Sequence, residues 1–260
     1  MTRTTVSTPS RAALVTGAGK RIGRALALAL AESGWAVAIH YNRSAGEADE
    51  TAAAIEAKGG RSRTIQADLA DEAATQTLIE RASRAVGPLT LLVNNASIFE
   101  NDVWDTVTHE SWNQHVQVNL RAPFVLIQEF ARRRPKGVPA NVVNLIDERV
   151  WNPTPYFVSY TVSKMGLWGL TQTLALALAP EVRVNAIGPG PTLQSTHQTE
   201  EQFRRQWSMM PLRRPIGVEE ISRALQFILD APSMTGQMIA LDGGQHLGWA
   251  QPGGAASLGD

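Results

Sequence analysis

Tyr160 and Lys164 stand four residues apart at the head of an apolar run, Met165 to Ala179. That spacing puts two side chains on one helix face, so a phenol and an ammonium point into the same space. An unperturbed tyrosine titrates near ~10, too weakly acidic to donate readily at neutral pH. A positive charge ~4–5 Å away, at an effective dielectric of ~20, favours the phenolate by roughly 3–4 kcal/mol and lowers the pKa by roughly two to three units. The pair is a candidate general acid with its tuning charge. Thirteen residues before the tyrosine lies Asp147. A carboxylate there pushes the phenol the other way with similar strength. Either the carboxyl and the phenol share a proton as a coupled pair, or Asp147 turns away and pairs with Arg149 or Arg21.

A second constellation lies near the start. The apolar stretch Ala12 to Thr16 runs into Gly17, Ala18, Gly19, Lys20, Arg21, Ile22 and Gly23, and a helix is expected over Arg24 to Glu32 with Gly34 as its stop. A strand, a glycine turn and a helix start form an anion site through the free N–H groups of the first helical turn; the plainer alternative is a turn that serves only tight packing. The next strand ends in His40, Tyr41, Asn42, Arg43 and Ser44, with no carboxylate before Glu47. An acidic residue there takes a ribose 2′-hydroxyl and an arginine takes a 2′-phosphate. Arg43, Arg21 and Ser44 therefore favour NADP(H) over NAD(H).

These residues need a frame. Short apolar runs at Ala12–Thr16, Ala36–Tyr41, Thr64–Ala67, Leu89–Val93, Asn141–Ile146, Val182–Ile187 and Met238–Leu241 alternate with helical stretches at 44–58, 71–86, 110–134, 160–179 and 218–229. Near-continuous apolar strands alternating with helices predict a Rossmann-type, doubly wound parallel α/β sheet of about seven strands. One dinucleotide-binding domain is expected over 11–250, with a flexible arm at 1–10 and a loose tail at 251–260. Residues 192–215 read as a loop holding one short helix over Glu200 to Ser208.

Composition narrows the function classes. With 260 residues and 43% hydrophobic content one large core is affordable, and 24 basic against 24 acidic residues leave no net field to recruit nucleic acid or an anionic membrane. There are no cysteines, which removes disulfides, thiolate chemistry and cysteine metal sites. The five histidines show no metal-ligand spacing, so no metal is expected. Neither a signal peptide nor a membrane span is legible, which makes a cytoplasmic protein the expectation.

Taken in order, Thr16-Gly17, Asp68, Asn94-Asn95-Ala96, Asn119, Tyr160 with Lys164, Asn185 and Pro189-Gly190 resemble the short-chain dehydrogenase/reductase family over about Arg11 to Gly244. The resemblance implies that Gly17, Arg21, Ile22 and Gly23 cradle the cofactor, with Tyr41 to Ser44, Asp68 and Leu69 around its adenosine half. Asp68 would hold the adenine amino group. Asn95, Ala96, Pro189 and Gly190 would line the cofactor further along. Lys164 would bind the nicotinamide ribose, Asn119 would anchor a water relay behind it, and Tyr160 would donate the proton. A homo-oligomer, expected as a tetramer packed through the helices near 110–134 and 159–179, is also implied.

Two departures point to a branch. Most members carry glycine where Arg21 stands and serine where Asp147 stands. Both, with His40–Ser44 and Ser97-Ile98-Phe99, resemble pteridine reductases, in which the arginine touches cofactor phosphate and pterin, the aspartate works with the tyrosine, and the phenylalanine stacks the pterin on the nicotinamide. An ionised Asp147 would repel a ketone oxygen, whereas a C=N bond whose nitrogen takes up a proton suits an acidic dyad. The expected substrate is a pterin or folate-like ring held by Arg21, Ser97, Phe99, Asp147 and Tyr160. A general carbonyl reductase and a catalytically idle NADP(H)-binding sensor are the alternatives.

Overall fold

The computed structural model describes residues 11–195 and 198–248, so the arm at 1–10 and the tail at 251–260 lie outside the described residues. The strands are β1 (Ala12–Val15), β2 (Ala36–Tyr41), β3 (Arg61–Gln66), β4 (Leu91–Asn94), β5 (Ala140–Leu145), β6 (Val182–Pro189) and β7 (Met238–Leu241). They form one parallel sheet in the order β3-β2-β1-β4-β5-β6-β7. Because side chains alternate across a strand, each apolar run feeds two cores. Ala12, Leu14, Leu92, Val142 and Val184 face one layer, and Ala13, Val15, Leu91, Val93, Val143 and Ile187 face the other.

Helices cover both faces. On one, α3 (Glu72–Val86), α5 (Ala122–Arg133) and α6 (Val158–Ala177) bury Leu78, Ile79, Leu126, Phe130 and Ala175. On the other, α1 (Arg21–Glu32), α2 (Ala45–Glu56) and α8 (Val218–Asp230) bury Leu26, Leu30, Ile55, Ile221 and Leu225. No helix among the described residues is long and apolar enough to cross a membrane. The strand order reverses at β1, which is flanked by β2 and β4. The crevice beyond the carboxyl ends of those strands is where such sheets bind ligands.

Some boundaries differ from the sequence expectation. The helix expected over 110–134 is α4 (His109–Val116), then a π turn (Gln117–Arg121), then α5. Apolar periodicity does not register one extra residue in a turn, so the pattern read as continuous. The third strand starts at Arg61, three residues early, because it is the sheet edge: Arg61, Arg63 and Gln66 are exposed while their backbone pairs with β2. The short helix in the 192–215 segment is α7 (Glu200–Ser208), as expected.

Candidate active site

The glycine turn joins β1 to α1 in the crevice. Gly17 has φ of +63°, a region that glycine enters without a Cβ penalty. Its N–H donates to His40 Nδ1 at 3.1 Å, which leaves Nε2–H to donate to the Ala67 carbonyl at 3.1 Å. His40 is therefore neutral with a fixed tautomer, and burial pushes its pKa down to about 4. A Cβ on Gly23 would lie 2.2 Å from the Gly17 carbonyl oxygen and 2.6 Å from Asn95 Nδ2. The turn is thus locked between β2 and β4. At the start of α1, Lys20 makes no side-chain cap, so the first-turn N–H groups remain for an anion.

Tyr160 and Lys164 ride on α6, whose start is held from outside the helix. Asp102 accepts the Ser159 N–H on Oδ1 at 3.0 Å and the Ser159 hydroxyl on Oδ2. His115 Nδ1 lies 2.8 Å from the same hydroxyl, and His115 Nε2 accepts the Glu100 N–H at 3.2 Å. All three side chains are buried. Nothing in the sequence points to this cluster, because three residues from separate elements carry no local spacing signal. Asn119 sits in the π turn and joins two layers: its amide donates to the Ile98 carbonyl at 3.0 Å and to Ser163 Oγ at 3.1 Å, while its oxygen accepts the Ile98 N–H at 2.8 Å and the Ser97 hydroxyl at 3.2 Å. These four bonds saturate the side chain.

The Tyr160 hydroxyl donates to Asp147 Oδ2 at 2.8 Å. Asp147 Oδ1 accepts the Arg149 backbone N–H at 3.0 Å and Arg149 Nε at 3.2 Å. Asp147 therefore does not turn away from the phenol: it holds Tyr160 on one oxygen and Arg149 on the other. The Arg149 guanidinium lies 5.2 Å from the Phe157 ring centre and 5.5 Å from those of Phe99 and Tyr160. Its Nη1 is buried without a partner.

One expectation is overturned. Burial pushes the Tyr160 phenol well above its ordinary value, and the Asp147 carboxylate adds to this; Arg149 is the cation that opposes it. Lys164 does not reach the hydroxyl: Nζ lies 5.7 Å from the ring centre and donates to the Leu145 carbonyl at 2.8 Å. The four-residue spacing aligns the two stems, but the Leu145 carbonyl at the carboxyl end of β5 captures the ammonium. Burial lowers Lys164 itself to about 8, with Asp147 opposing.

A cleft of about 630 Å³ opens over these groups, lined by Asp147, Glu148, Arg149, Tyr160 and Lys164 and by residues 191–193, Ser195, Gln198, Phe203 and Gln206. Arg21, Ile22, Asn95, Ser97, Phe99, Pro189 and Gly190 also line it. Tyr41, Asn42, Arg43, Ser44, Asp68 and Leu69 lie further along the crevice, at the ends of β2 and β3. Arg43 is exposed, and Asp68 Oδ1 accepts the Ala70 N–H at 2.9 Å. Arg21 spans the cleft: its guanidinium donates to the Gln194 carbonyl at 2.8 Å and to the Leu193 carbonyl at 3.1 Å. Phe99 stacks on Phe157 at 4.4 Å, so one face of the expected ring platform is already covered.

A family model for short chain dehydrogenases matches residues 11–206. The chain belongs to the short-chain dehydrogenase family. Among solved short-chain dehydrogenase relatives, FolM alternative dihydrofolate reductase 1 from Brucella canis, complexed with NADP, is 46% identical with a TM-score of 0.90, covering 93% of this chain and 96% of that one. Pteridine reductase 1 from Leishmania tarentolae is 33% identical over 94% of this chain and 99% of its own length. A 3-oxoacyl-[acyl-carrier-protein] reductase, FabG, from Staphylococcus aureus is 32% identical over 92% of this chain and 99% of its own. Pteridine reductase and FolM relatives set this chain beside the pteridine reductase-like branch of the short-chain dehydrogenases. The residues of the crevice fit a dinucleotide: an uncapped helix start for the phosphates, a glycine turn that admits no Cβ at Gly23, and a half-exposed carboxylate at Asp68.

Proposed function

We propose that this short-chain dehydrogenase is an NADPH-dependent reductase of a dihydropterin or dihydrofolate-type C=N bond. The observation that carries the reading is the Tyr160–Asp147 hydrogen bond of 2.8 Å at the cleft wall. The uncapped start of α1, Gly17 and Gly23 take the cofactor phosphates, with Arg43 and Ser44 toward the 2′-phosphate and Asp68 and Leu69 toward the adenine. NADP-bound FolM at 46% identity supports that choice. Bound NADPH supplies a hydride.

The chain's own residues supply and govern the proton. Burial and Asp147 keep the Tyr160 phenol protonated through the neutral range. The tyrosine releases its proton only when a strong base forms against it, as a C=N nitrogen does on accepting hydride. A phenolate beside a carboxylate would then place two buried negative charges together, and Arg149 over the Tyr160 ring offsets them. Lys164, whose ammonium donates to the Leu145 carbonyl, binds the nicotinamide ribose on this reading and does not tune the phenol. Phe99 and Ser97 hold the ring edge. On the same reading the enzyme works as a homotetramer in the cytoplasm.

A keto reductase is the second reading, supported by the 32% identity to a 3-oxoacyl reductase. Asp147 counts against it, because an ionised carboxylate beside the proton donor repels a carbonyl oxygen. Purified protein with NADPH is assayed against 7,8-dihydrobiopterin, 7,8-dihydrofolate and a ketone panel by loss of absorbance at the nicotinamide band. Turnover of ketones alone ends the pterin reading. Cofactor binding with no turnover of any class would mark an idle sensor.

A further inference from the structure

Glu148 directly follows Asp147, in the 3-10 turn Glu148–Val150, and lines the cleft with only 4% of its surface exposed. Its neighbours are saturated. Asp147 holds Tyr160 and Arg149, and Asp242 accepts from the Gly244 and His246 N–H groups at 3.0 and 2.7 Å. Among the described residues no hydrogen-bond donor reaches the Glu148 carboxyl. With its neighbours already paired, an acid on a cleft wall marks a place where a ligand completes the pairing. We propose that Glu148 is the specificity-determining residue of this cleft, taking the amidine edge of the substrate heterocycle (an exocyclic N–H beside a ring nitrogen) through two parallel hydrogen bonds. The assignment rests on the pterin reading and names the part of the ring that is recognised.

The charges facing Glu148 decide which edge fits. Burial first, then Asp147 and Asp242, lift it to about 8 against the opposing pull of Arg149. At neutral pH the group is a carboxylic acid, with one O–H donor and one acceptor oxygen. A carboxylate, with two acceptors, would match two adjacent N–H groups. The neutral acid matches one N–H next to one bare ring nitrogen, which a 2-aminopyrimidine ring presents. A simple ketone would leave half of that pair unmade. A glutamine carries the same donor–acceptor pair as the protonated acid, and a leucine carries neither.

That contrast is the test. With 7,8-dihydrobiopterin and NADPH at pH 7, Glu148→Leu is expected to raise the KM for the pterin at least tenfold with kcat within threefold, while Glu148→Gln keeps KM within threefold. Above pH 8 the wild-type KM is expected to rise as the O–H is lost, and that of Glu148→Gln to rise less. Lys164 titrates in the same range in both proteins, so the difference belongs to position 148. An unchanged KM in Glu148→Leu, or a glutamine variant as impaired as the leucine one, overturns the assignment while leaving the pterin reading standing. A folding-independent check uses wild-type protein with NADPH: 2,4-diaminopteridine should bind at least tenfold more tightly than 4-aminopteridine, and equal binding counts against Glu148. If wild type reduces no dihydropterin, the pterin reading falls and this assignment falls with it.

Discussion

Asp147 holds the Tyr160 hydroxyl at 2.8 Å on one carboxylate oxygen while its other oxygen is fixed by Arg149. The phenol is thereby aimed and kept protonated by the same contact. On the proposed reading, proton donation waits for a base created during reduction and is not driven by an acidified tyrosine.

Replacing Tyr160 by Phe removes the proton and keeps the ring that meets Phe99 edge-on at 4.7 Å. Dihydropterin turnover should fall by roughly 10²–10⁴-fold, the usual worth of a positioned general acid. The dissociation constant for NADPH, read by fluorescence titration, should stay within about threefold, since the uncapped start of α1 is untouched.

Asp147→Ser tests the dyad. Serine cannot hold Arg149 and the phenol together, so dihydropterin turnover should drop by roughly tenfold or more, the lower part of the range for acid–base partners. Steady-state rates for pterin and ketones, measured side by side, decide it. A rise in pterin turnover would falsify the dyad.

Arg149→Met keeps a long stem but removes the charge over Tyr160 and the anchor of Asp147. A loss of about tenfold in kcat is expected, with NADPH affinity unchanged, because the guanidinium acts on the developing phenolate. Equal losses in kcat and in NADPH affinity would point instead to a collapsed cleft.

His40 makes folding sensitive to acid. Its folded pKa is about 4 against 6.5 for a free imidazole, so the unfolded chain binds the extra proton between those values. Stability contributed by neutral His40 is complete above pH 6.5, declines as pH falls toward 4, and levels off below. The full loss is about 3 kcal/mol. Urea midpoints should fall over that window in wild type and fall less in His40→Gln.

Gly23→Ala places a methyl 2.2 Å from the Gly17 carbonyl oxygen, a backbone atom already accepting from Asn95 Nδ2 at 3.1 Å. Overpacking of that kind costs about 1–3 kcal/mol. Both a lower urea midpoint and at least a tenfold weaker NADPH affinity are expected, whereas Gly46→Ala, with nothing within 4 Å, should do neither.

The parallel sheet was legible because β1, β4, β5 and β6 are apolar runs too short and too continuous for anything but strands buried on two faces. The glycine turn was legible because Gly17 and Gly23 are demanded by local backbone geometry, and Tyr160 and Lys164 because one helix repeats every 3.6 residues. Such features depend on neighbours in the chain. Electrostatics does not: burial and distance set a pKa, and both come from elements brought together over long separations. Four-residue spacing suggested that Lys164 tunes the phenol, yet Leu145 at the carboxyl end of β5 takes its ammonium and Arg149 becomes the cation that matters. The same holds for Asp102 and His115 at the head of α6, and for Glu148, whose unpaired carboxyl is defined only by what packing leaves around it.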